Sequence, residues 1–431
     1  MKICLISLGC VKNLVDSENV LAMLQKAGHH LVTIPEEADL IVINTCGFIT
    51  SAKQESIDYI LAMLAYQKRV VVIGCLVERY LQDLREEIPE VDLFVPLRDY
   101  HQLHRYLEKL IADEKTIPAY STKARVYSTP ASLAYLKISE GCDHRCRYCA
   151  IPDIRGPFRS YSVEDVLFQA DNLEKAGVKE LVLIGQNTTG YGEDLPGDVN
   201  LINLLKELLK FKGFVFIRLL YLYPAEVDEE LVTFIKANPR IVPYFDLPIQ
   251  HSANRIRKRM GRVGTREELL NKIAMIRRLL PQAVLRTTVM LGFPGEQEKD
   301  QDDLLNFIKE VEFDHLGAFT YSREENTPAY DDDHQVPEVI KIKRYQAVMQ
   351  TQKTISYQKN QRQIGKIHQG LVIGYNQDKN LYYLRSFWNA PDGIDGKITF
   401  SSDIPLFEGE VVKVKITQAY VYDLHGELIV N

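Results

Sequence analysis

Three cysteines, Cys142, Cys146 and Cys149, fall within eight residues in the stretch SEGCDHRCRYCAIP. Thiolates are soft ligands that select iron-sulfur clusters or zinc. Three of them in one short loop can wrap a single small cluster. With no fourth cysteine nearby, one iron stays open to an exogenous chelate. The competing reading is a structural zinc site completed by His144 or a distant residue, although zinc motifs usually come as two pairs.

A second triad emerges only when residues are placed on strands. Cys10 follows Ile3 to Leu8, Cys46 follows Leu40 to Asn44, and Cys75 follows Val70 to Gly74. In an open parallel sheet the carboxyl ends of the strands share one edge, and ligands collect there. The pattern therefore brings three more thiols together, again one ligand short of four. Three buried cysteines serving as small apolar side chains is the alternative, and it is the reading preferred for Cys4, inside its strand.

The elements that must position these thiols follow from the hydrophobic rhythm. Up to residue 115, strand patterns at Ile3 to Leu8, Leu40 to Asn44, Val70 to Gly74 and Leu93 to Val95 alternate with helical stretches near 16–28, 51–67 and 100–112. That alternation predicts an open parallel α/β domain over 1–115. Residues 116–131 are polar and unperiodic, and read as a linker. A second series over 132–364 has strand patterns at 135–139, 180–184, 215–220, 244–247, 285–291 and 316–321. Helical stretches near 163–176, 200–210, 226–237, 265–280 and 299–311 separate them. Six strand-helix units are too few for a closed eight-stranded barrel, so a partial (βα)6 barrel is expected. A long polar helix over 338–364 follows. Short strand patterns from 365 to 431 then predict a small all-β barrel.

The chain of 431 residues has 46% apolar and 26% charged residues, as in ordinary globular proteins. Lys and Arg number 52 against 58 Asp and Glu, net −6, which does not favour general attraction to nucleic acid. Apolar runs such as Val70 to Ile73 are far short of the roughly 20 residues that span a bilayer. The amino terminus lacks a signal-peptide pattern, so a cytoplasmic location and no membrane partner are expected.

With these motifs in place, the chain resembles the methylthiotransferase family of radical S-adenosylmethionine enzymes over essentially its whole length, and looks most like the branch that modifies a ribosomal protein. The stretches that carry the resemblance are SLGCVKNLVDSE, NTCGFITSAKQESI, GCLVERY, YLKISEGCDHRCRYCAIPDIRGPFRSYS, LPIQH, RTTVMLGFPGE and YSREENTPAY. The resemblance implies an amino-terminal cluster domain, a central radical domain and a carboxyl-terminal TRAM barrel. It also implies two 4Fe-4S clusters, with Cys10, Cys46 and Cys75 on one and Cys142, Cys146 and Cys149 on the other. S-adenosylmethionine would be both methyl donor and radical source. The implied reaction adds a methylthio group to the β-carbon of an aspartate in small-subunit ribosomal protein S-twelve, with an electron donor such as flavodoxin or ferredoxin. GQNTTGYG carries Asn187 where the ribosomal-protein branch usually has Asp. A tRNA adenosine methylthiotransferase, and a non-enzymatic iron-sulfur sensor that binds RNA, are the rival readings.

Further candidates are cofactor contacts. Tyr148 sits between the last two central cysteines, where an aromatic can pack near an adenine. Gly292 and Glu296, in GFPGE after a strand, could let backbone approach the cofactor and offer a polar contact. Gln186 and Gln250 stand just past strand ends on the same edge. The basic run Arg255, Arg257, Lys258, Arg259 and Arg262 is expected to be a solvated helix face, and His251 a hydrogen-bonded structural residue. The terminal barrel holds six basic against eight acidic side chains, net −2. An RNA-gripping barrel should be basic, so nucleic-acid contact is expected to be secondary and a basic protein suits the surface better.

Overall fold

The computed structural model describes residues 1–111, 116–391 and 393–430. The boundary expected at 115, the helix end expected at 112, Asp392 and residue 431 lie outside them. The chain divides into two units, each described by itself: residues 1–128, 135–169 and 322–330 form the first, and 129–134, 170–321 and 331–431 the second.

The first unit is built on β1 (Lys2–Ser7), α1 (Val11–Lys26), β2 (His30–Val32), β3 (Leu40–Thr45), α2 (Thr50–Leu64), β4 (Arg69–Gly74), α3 (Cys75–Glu87), β5 (Leu93–Pro96) and α4 (Leu103–Ile111). The strands lie in the order β2-β1-β3-β4-β5 and every pair is parallel. Because side chains alternate across a strand, Val42 and Val71 join Val20, Leu24 and Leu107 on one face. Ile41, Ile43, Val70 and Val72 join Ile60 and Phe94 on the other. A sheet covered on both faces explains why its strands read as continuous apolar runs.

Helices α1 and α3 depart from expectation. Helix α1 begins at Val11, five residues before the expected start at 16, and Cys10 is its N-cap in extended backbone. The periodicity missed this turn because its inward side chains are polar: Lys12, Asn13, Asp16, Ser17, Glu18 and Asn19 are all buried. Helix α3, which starts on Cys75 itself, was not anticipated.

The stretch expected to be a linker has neither helix nor strand between 116 and 131, yet it is tied down. Glu18 accepts from Ser128 N at 2.8 Å and Oγ at 2.7 Å, and its carboxylate also pairs with Arg125. Next come β6 (Leu133–Lys137), β7 (Ser139–Glu140), α5 (Ile151–Arg155) and β8 (Arg159–Ser160). Strands β7 and β8 pair antiparallel, closing the base of the loop that carries the central cysteines.

After α6 (Val163–Lys175), the second unit continues through β9 (Glu180–Ile184), α7 (Leu201–Leu208), β10 (Phe216–Leu219), α8 (Glu229–Ala237), β11 (Tyr244–Asp246), α9 (Asn254–Met260), α10 (Arg266–Leu279), β12 (Val284–Leu291), α11 (Glu298–Val311) and β13 (His315–Thr320). Strands β9 and β10 pair in parallel, as do β11, β12 and β13 in that order. This is the strand-helix succession of a partial (βα)6 barrel. The long helix α12 (Glu338–Gln361) leads to β14 (Ile367–Asn376), β15 (Leu381–Ser386), β16 (Ile398–Ser401), β17 (Val411–Ala419) and β18 (Leu424–Leu428). These close into a barrel in the order β14-β15-β16-β18-β17.

Buried charge fastens the small barrel to the strands before it. Glu180 on β9 pairs with Arg218 at 2.8 Å and with Arg385 of β15. Asp395 accepts from Ala390 N at 2.8 Å, bonds the Tyr244 hydroxyl and lies 3.3 Å from Arg286. Burial pushes both carboxylates up, but Arg385 and Arg218 hold Glu180, and His315 and Arg286 hold Asp395, below the usual carboxylate range, which offsets the cost of burying them.

Candidate cluster-binding site

The three scattered cysteines stand at the carboxyl ends of β1, β3 and β4, which are neighbours in the sheet. Glycines let their loops come closer than side chains would allow. A Cβ on Gly9 (φ +82°) would lie 2.6 Å from Cys46 Cβ, and one on Gly47 would lie 2.7 Å from Leu76 Cα. Asn13, on the first turn of α1, sits wholly buried among these loops. Its amide donates to Leu8 O at 3.1 Å and Thr45 O at 2.8 Å, and its Oδ1 accepts from Cys75 Sγ at 3.4 Å. Ser56 Oγ bonds both backbone groups of Cys46, at 3.1 and 2.9 Å.

The thiols sense one another. Cys75 is pushed up to about 12, chiefly by burial, against the pull of Arg155 and with further rises from Cys10 and Cys46. Burial likewise raises Cys46. Ligation requires the thiolate, so the cation beside Cys75 is part of what the site offers a metal cluster. Cys10 is exposed, whereas Cys46 and Cys75 are buried. Cys4 is buried in the apolar core, away from this edge.

The central triad is shaped locally. Gly141 (φ +77°) opens its loop, where a Cβ would lie 2.1 Å from Pro157 O. Cys142 N donates to Gly156 O at 3.3 Å and Cys149 N to Cys146 O at 2.9 Å. Cys146 is buried, Cys142 and Cys149 half-buried. Ala150, the N-cap of α5, and Ile154 within it pack on Cys75, so the segment that follows the central loop touches a cysteine of the other triad within the same unit.

A buried charge network joins them. Asp16 pairs with Lys137 on β6 and lies 2.6 Å from Arg155 Nη1; Glu140 lies 2.7 Å from Lys137 and 3.3 Å from Arg155. Residues 322–330 form a strap across the same unit. Glu324 accepts from Thr50 N at 2.7 Å and pairs with Lys53 and Arg79, each at 3.0 Å. Farther along the strap, Ala329 N donates to Arg147 O inside the central loop at 2.9 Å. Asn13, Asp16, Lys137, Glu140, Arg155 and Glu324 were not singled out from sequence. A polar run on the buried face of a helix was the available signal.

Thiols on three convergent strand ends, glycine-tightened loops and an adjacent guanidinium fit an iron-sulfur cluster, and the central loop fits a second. Among the described residues, no three Cys, His, Asp or Glu side chains are arranged to hold a single metal ion.

Of the remaining candidates, Tyr148 belongs to the first unit and is half-buried. Gln186, Gln250, Gly292 and Glu296 belong to the second. Gln250 has φ +67°, an uncommon conformation for a side-chain-bearing residue. Its backbone bridges to Thr288 O (2.9 Å) and Met290 N (2.8 Å), and its buried Oε1 has no partner among the described residues. The Glu296 carboxylate turns inward and staples its own turn, accepting from Gly292 N at 2.6 Å and Phe293 N at 3.1 Å. Gly292 (φ +73°) faces Lys341, whose Cγ a Cβ would meet at 2.2 Å.

Lys258 is exposed as expected, but the four arginines of the basic run correct the expected solvated face. Arg257 is buried and donates to the carbonyls of Ile249, His251, Val263 and Gly264. Arg255 bonds Gly295 O at 2.7 Å, Arg259 bonds Pro294 O at 3.0 Å and Arg262 bonds Pro248 O at 2.7 Å. A guanidinium has five donors, and here they close orphan carbonyls of the surrounding loops. His251 is buried, with Nδ1 accepting from Ala253 N at 3.0 Å.

Comparison with known proteins agrees with this architecture. Residues 2–96 match the uncharacterized protein family UPF0004, 136–308 the radical SAM superfamily and 364–429 the TRAM domain. Among solved structures, the radical S-adenosylmethionine methyltransferase TsrM from Kitasatospora setae superposes with TM-score 0.57 at 13% identity, covering 76% of this chain and 75% of that one. The cobalamin-dependent radical enzyme OxsB superposes with TM-score 0.51 at 15% identity, covering 82% and 56%. Both show likeness of fold alone. Ribosomal protein uS12 methylthiotransferase RimO of Acetivibrio thermocellus is 45% identical over 99% of this chain and 98% of its own length. The proteins of the same name from Clostridioides difficile and Aquifex aeolicus are 44% and 43% identical, covering 100% and 99% of this chain and 99% and 97% of their own lengths. Full-length identity of this order, with both cysteine triads present, establishes that the chain belongs to the RimO family of radical S-adenosylmethionine methylthiotransferases.

Proposed function

We propose that this enzyme adds a methylthio group to the β-carbon of an aspartate in ribosomal protein uS12. Cys142, Cys146 and Cys149 would hold the cluster that binds S-adenosylmethionine, and Cys10, Cys46 and Cys75 a second 4Fe-4S cluster that serves sulfur transfer. The observation that carries this reading is the presence of both triads, each one ligand short of four, in a chain alike over its full length to uS12 methylthiotransferases. The target carbon bears no acidic proton, so acid-base chemistry is a poor route. Bound in the central loop, a reduced cluster and S-adenosylmethionine supply the one-electron chemistry that removes such a hydrogen.

The chain's own residues bind and orient. Asn13 and Ser56 fix the backbone that presents Cys10 and Cys46, while the Lys137–Asp16–Arg155–Glu140 network fixes the base of the central loop. Tyr148, Gln186, Gln250, Gly292 and Glu296 are proposed cofactor contacts, Glu296 through the turn it holds. The domains would divide at 1–115, 116–131, 132–364 and 365–431.

The small barrel favours a protein partner over RNA. One of its six cations, Arg385, is consumed inside by Glu180, leaving a surface that is not basic. A flavodoxin or ferredoxin would supply electrons, in the cytoplasm. No helix among the described residues is long and apolar enough to cross a membrane.

Mass spectrometry decides the substrate: uS12 from cells lacking the gene should lose the methylthio mass, with tRNA unchanged. Loss from tRNA instead would transfer the chain to the adenosine-modifying activity. Single Cys→Ala changes decide the division of labour. In the central triad they should stop release of 5′-deoxyadenosine. In the amino-terminal triad they should spare that release but prevent methylthio product, and product retained there would refute the assignment.

A further inference from the structure

Arg155 lies six residues beyond Cys149, in the sequence of the central triad, yet its guanidinium is spent on the other triad. Nη2 is 3.3 Å from Cys75 Sγ and also bonds Asn13 Oδ1, the amide that reaches the loops of Cys10 and Cys46. Nη1 bonds Asp16 Oδ2 at 2.6 Å and Glu140 Oε2 at 3.3 Å. The side chain is 3% exposed, so the cation is fixed and poorly screened. Charge pairing alone needs only the two carboxylates, and it leaves the sulfur-directed donor without a purpose. Hydrogen bonds to cluster sulfurs and nearby charge are what set a cluster's potential, and groups behind the ligands orient them.

We propose that Arg155 is a positioning residue for the Cys10/Cys46/Cys75 cluster, orienting Cys75 as a ligand and raising that cluster's reduction potential from the element that follows the central loop. Through it, the base of one cluster's loop bears directly on the electronics of the other cluster. The inference rests on the reading that those three cysteines hold a cluster, and the test separates the two.

The background is the full chain carrying Cys142→Ala, Cys146→Ala and Cys149→Ala, reconstituted anaerobically and titrated by electron paramagnetic resonance. If it holds no four-iron cluster, the two-cluster reading fails and the inference falls with it. Where the cluster is present, Arg155→Gln should move the midpoint to more negative values and alter the spectral line shape. Arg155→Lys keeps a cation between Asp16 and Glu140 but lacks the fork that reaches sulfur, so it should give a smaller shift of the same sign. Should Arg155→Gln lose its thermal transition, Arg155→Lys decides. Iron lost from a variant whose thermal transition is unchanged supports the ligand-orienting role. A midpoint and line shape equal to the parent's in a folded variant overturn the proposal.

Discussion

The two cysteine triads are built in opposite ways. Cys142, Cys146 and Cys149 share one loop, shaped by its own glycine and backbone bonds. Cys10, Cys46 and Cys75 are separated by up to 65 positions and meet only because β1, β3 and β4 are neighbours in a parallel sheet. A local site can keep its shape when the surroundings loosen, whereas a scattered site is as secure as the sheet that assembles it. The protein meets this by surrounding the scattered site with buried polar groups on α1, at the expense of apolar burial.

The sharpest way to break the comparison is Asp16→Ala. Asp16 on α1 pairs with Lys137 and Arg155 on either side of the central loop, and its loss leaves two buried cations with Glu140 alone. Removing one partner of such a network costs roughly 3–5 kcal/mol. Hydrogen exchange should show lost protection in α1 and β6 while β11–β13 keep theirs. An effect below about 1 kcal/mol would mean that Asp16 does not join the triads energetically.

Next come the paired glycines. Gly74 has φ +103°, and a Cβ there would lie 2.3 Å from Asn44 Oδ1 and 2.6 Å from Thr45 O. Gly74→Ala should cost roughly 2–4 kcal/mol from strain and overpacking and deplete only the amino-terminal iron. Gly141→Ala, with its clash against Pro157 O, should deplete only the central iron. Iron analysis combined with 5′-deoxyadenosine release reads both. Loss of both irons from either variant would erase the distinction between local and scattered sites.

A titration in the second unit gives a baseline that neither triad should influence. Burial, with cations such as Arg257 nearby, drives His251 down to about 3. The unfolded chain therefore takes up its proton near 6.5 while the folded chain does not. Stability from this residue is complete above 6.5 and falls by about 1.4 kcal/mol per pH unit as pH drops toward 3. His251→Asn keeps an acceptor for Ala253 N–H and should flatten that slope in denaturant titrations of the second unit. An unchanged slope would assign the acid sensitivity to other groups.

How much of this was legible in the sequence follows from the same contrast. The central loop declared itself by spacing, and the sheet by apolar runs whose ends fell within a residue or two of the observed strands. Even the scattered triad could be inferred, because strand ends on one edge of a parallel sheet converge. The first turn of α1 could not, since Lys12, Asn13 and Asp16 read as solvent-facing and are buried. Arg257 was misread for the same reason: periodicity registers apolar burial and is blind to a buried guanidinium that closes loop carbonyls. Arg155 was invisible because its partners, Asn13, Asp16 and Cys75, are at least 80 positions away.

The smallest expected effect is the most discriminating about the central loop. Gly156 caps α5 with φ +77°, and a Cβ there would meet nothing within 4 Å. Gly141 has the same φ but is blocked by Pro157 O. Both substitutions strain the backbone, but only one adds a collision. Gly156→Ala should therefore cost only about 1 kcal/mol and keep the central iron, because the Gly156 carbonyl that accepts from Cys142 N stays in place. If Gly156→Ala strips the central iron as fully as Gly141→Ala, the loop tolerates no backbone strain at all. Its apparent independence from its surroundings would then belong to the rigidity of the β7–β8 closure beneath it, and the central site would be as dependent on distant pairing as the scattered one.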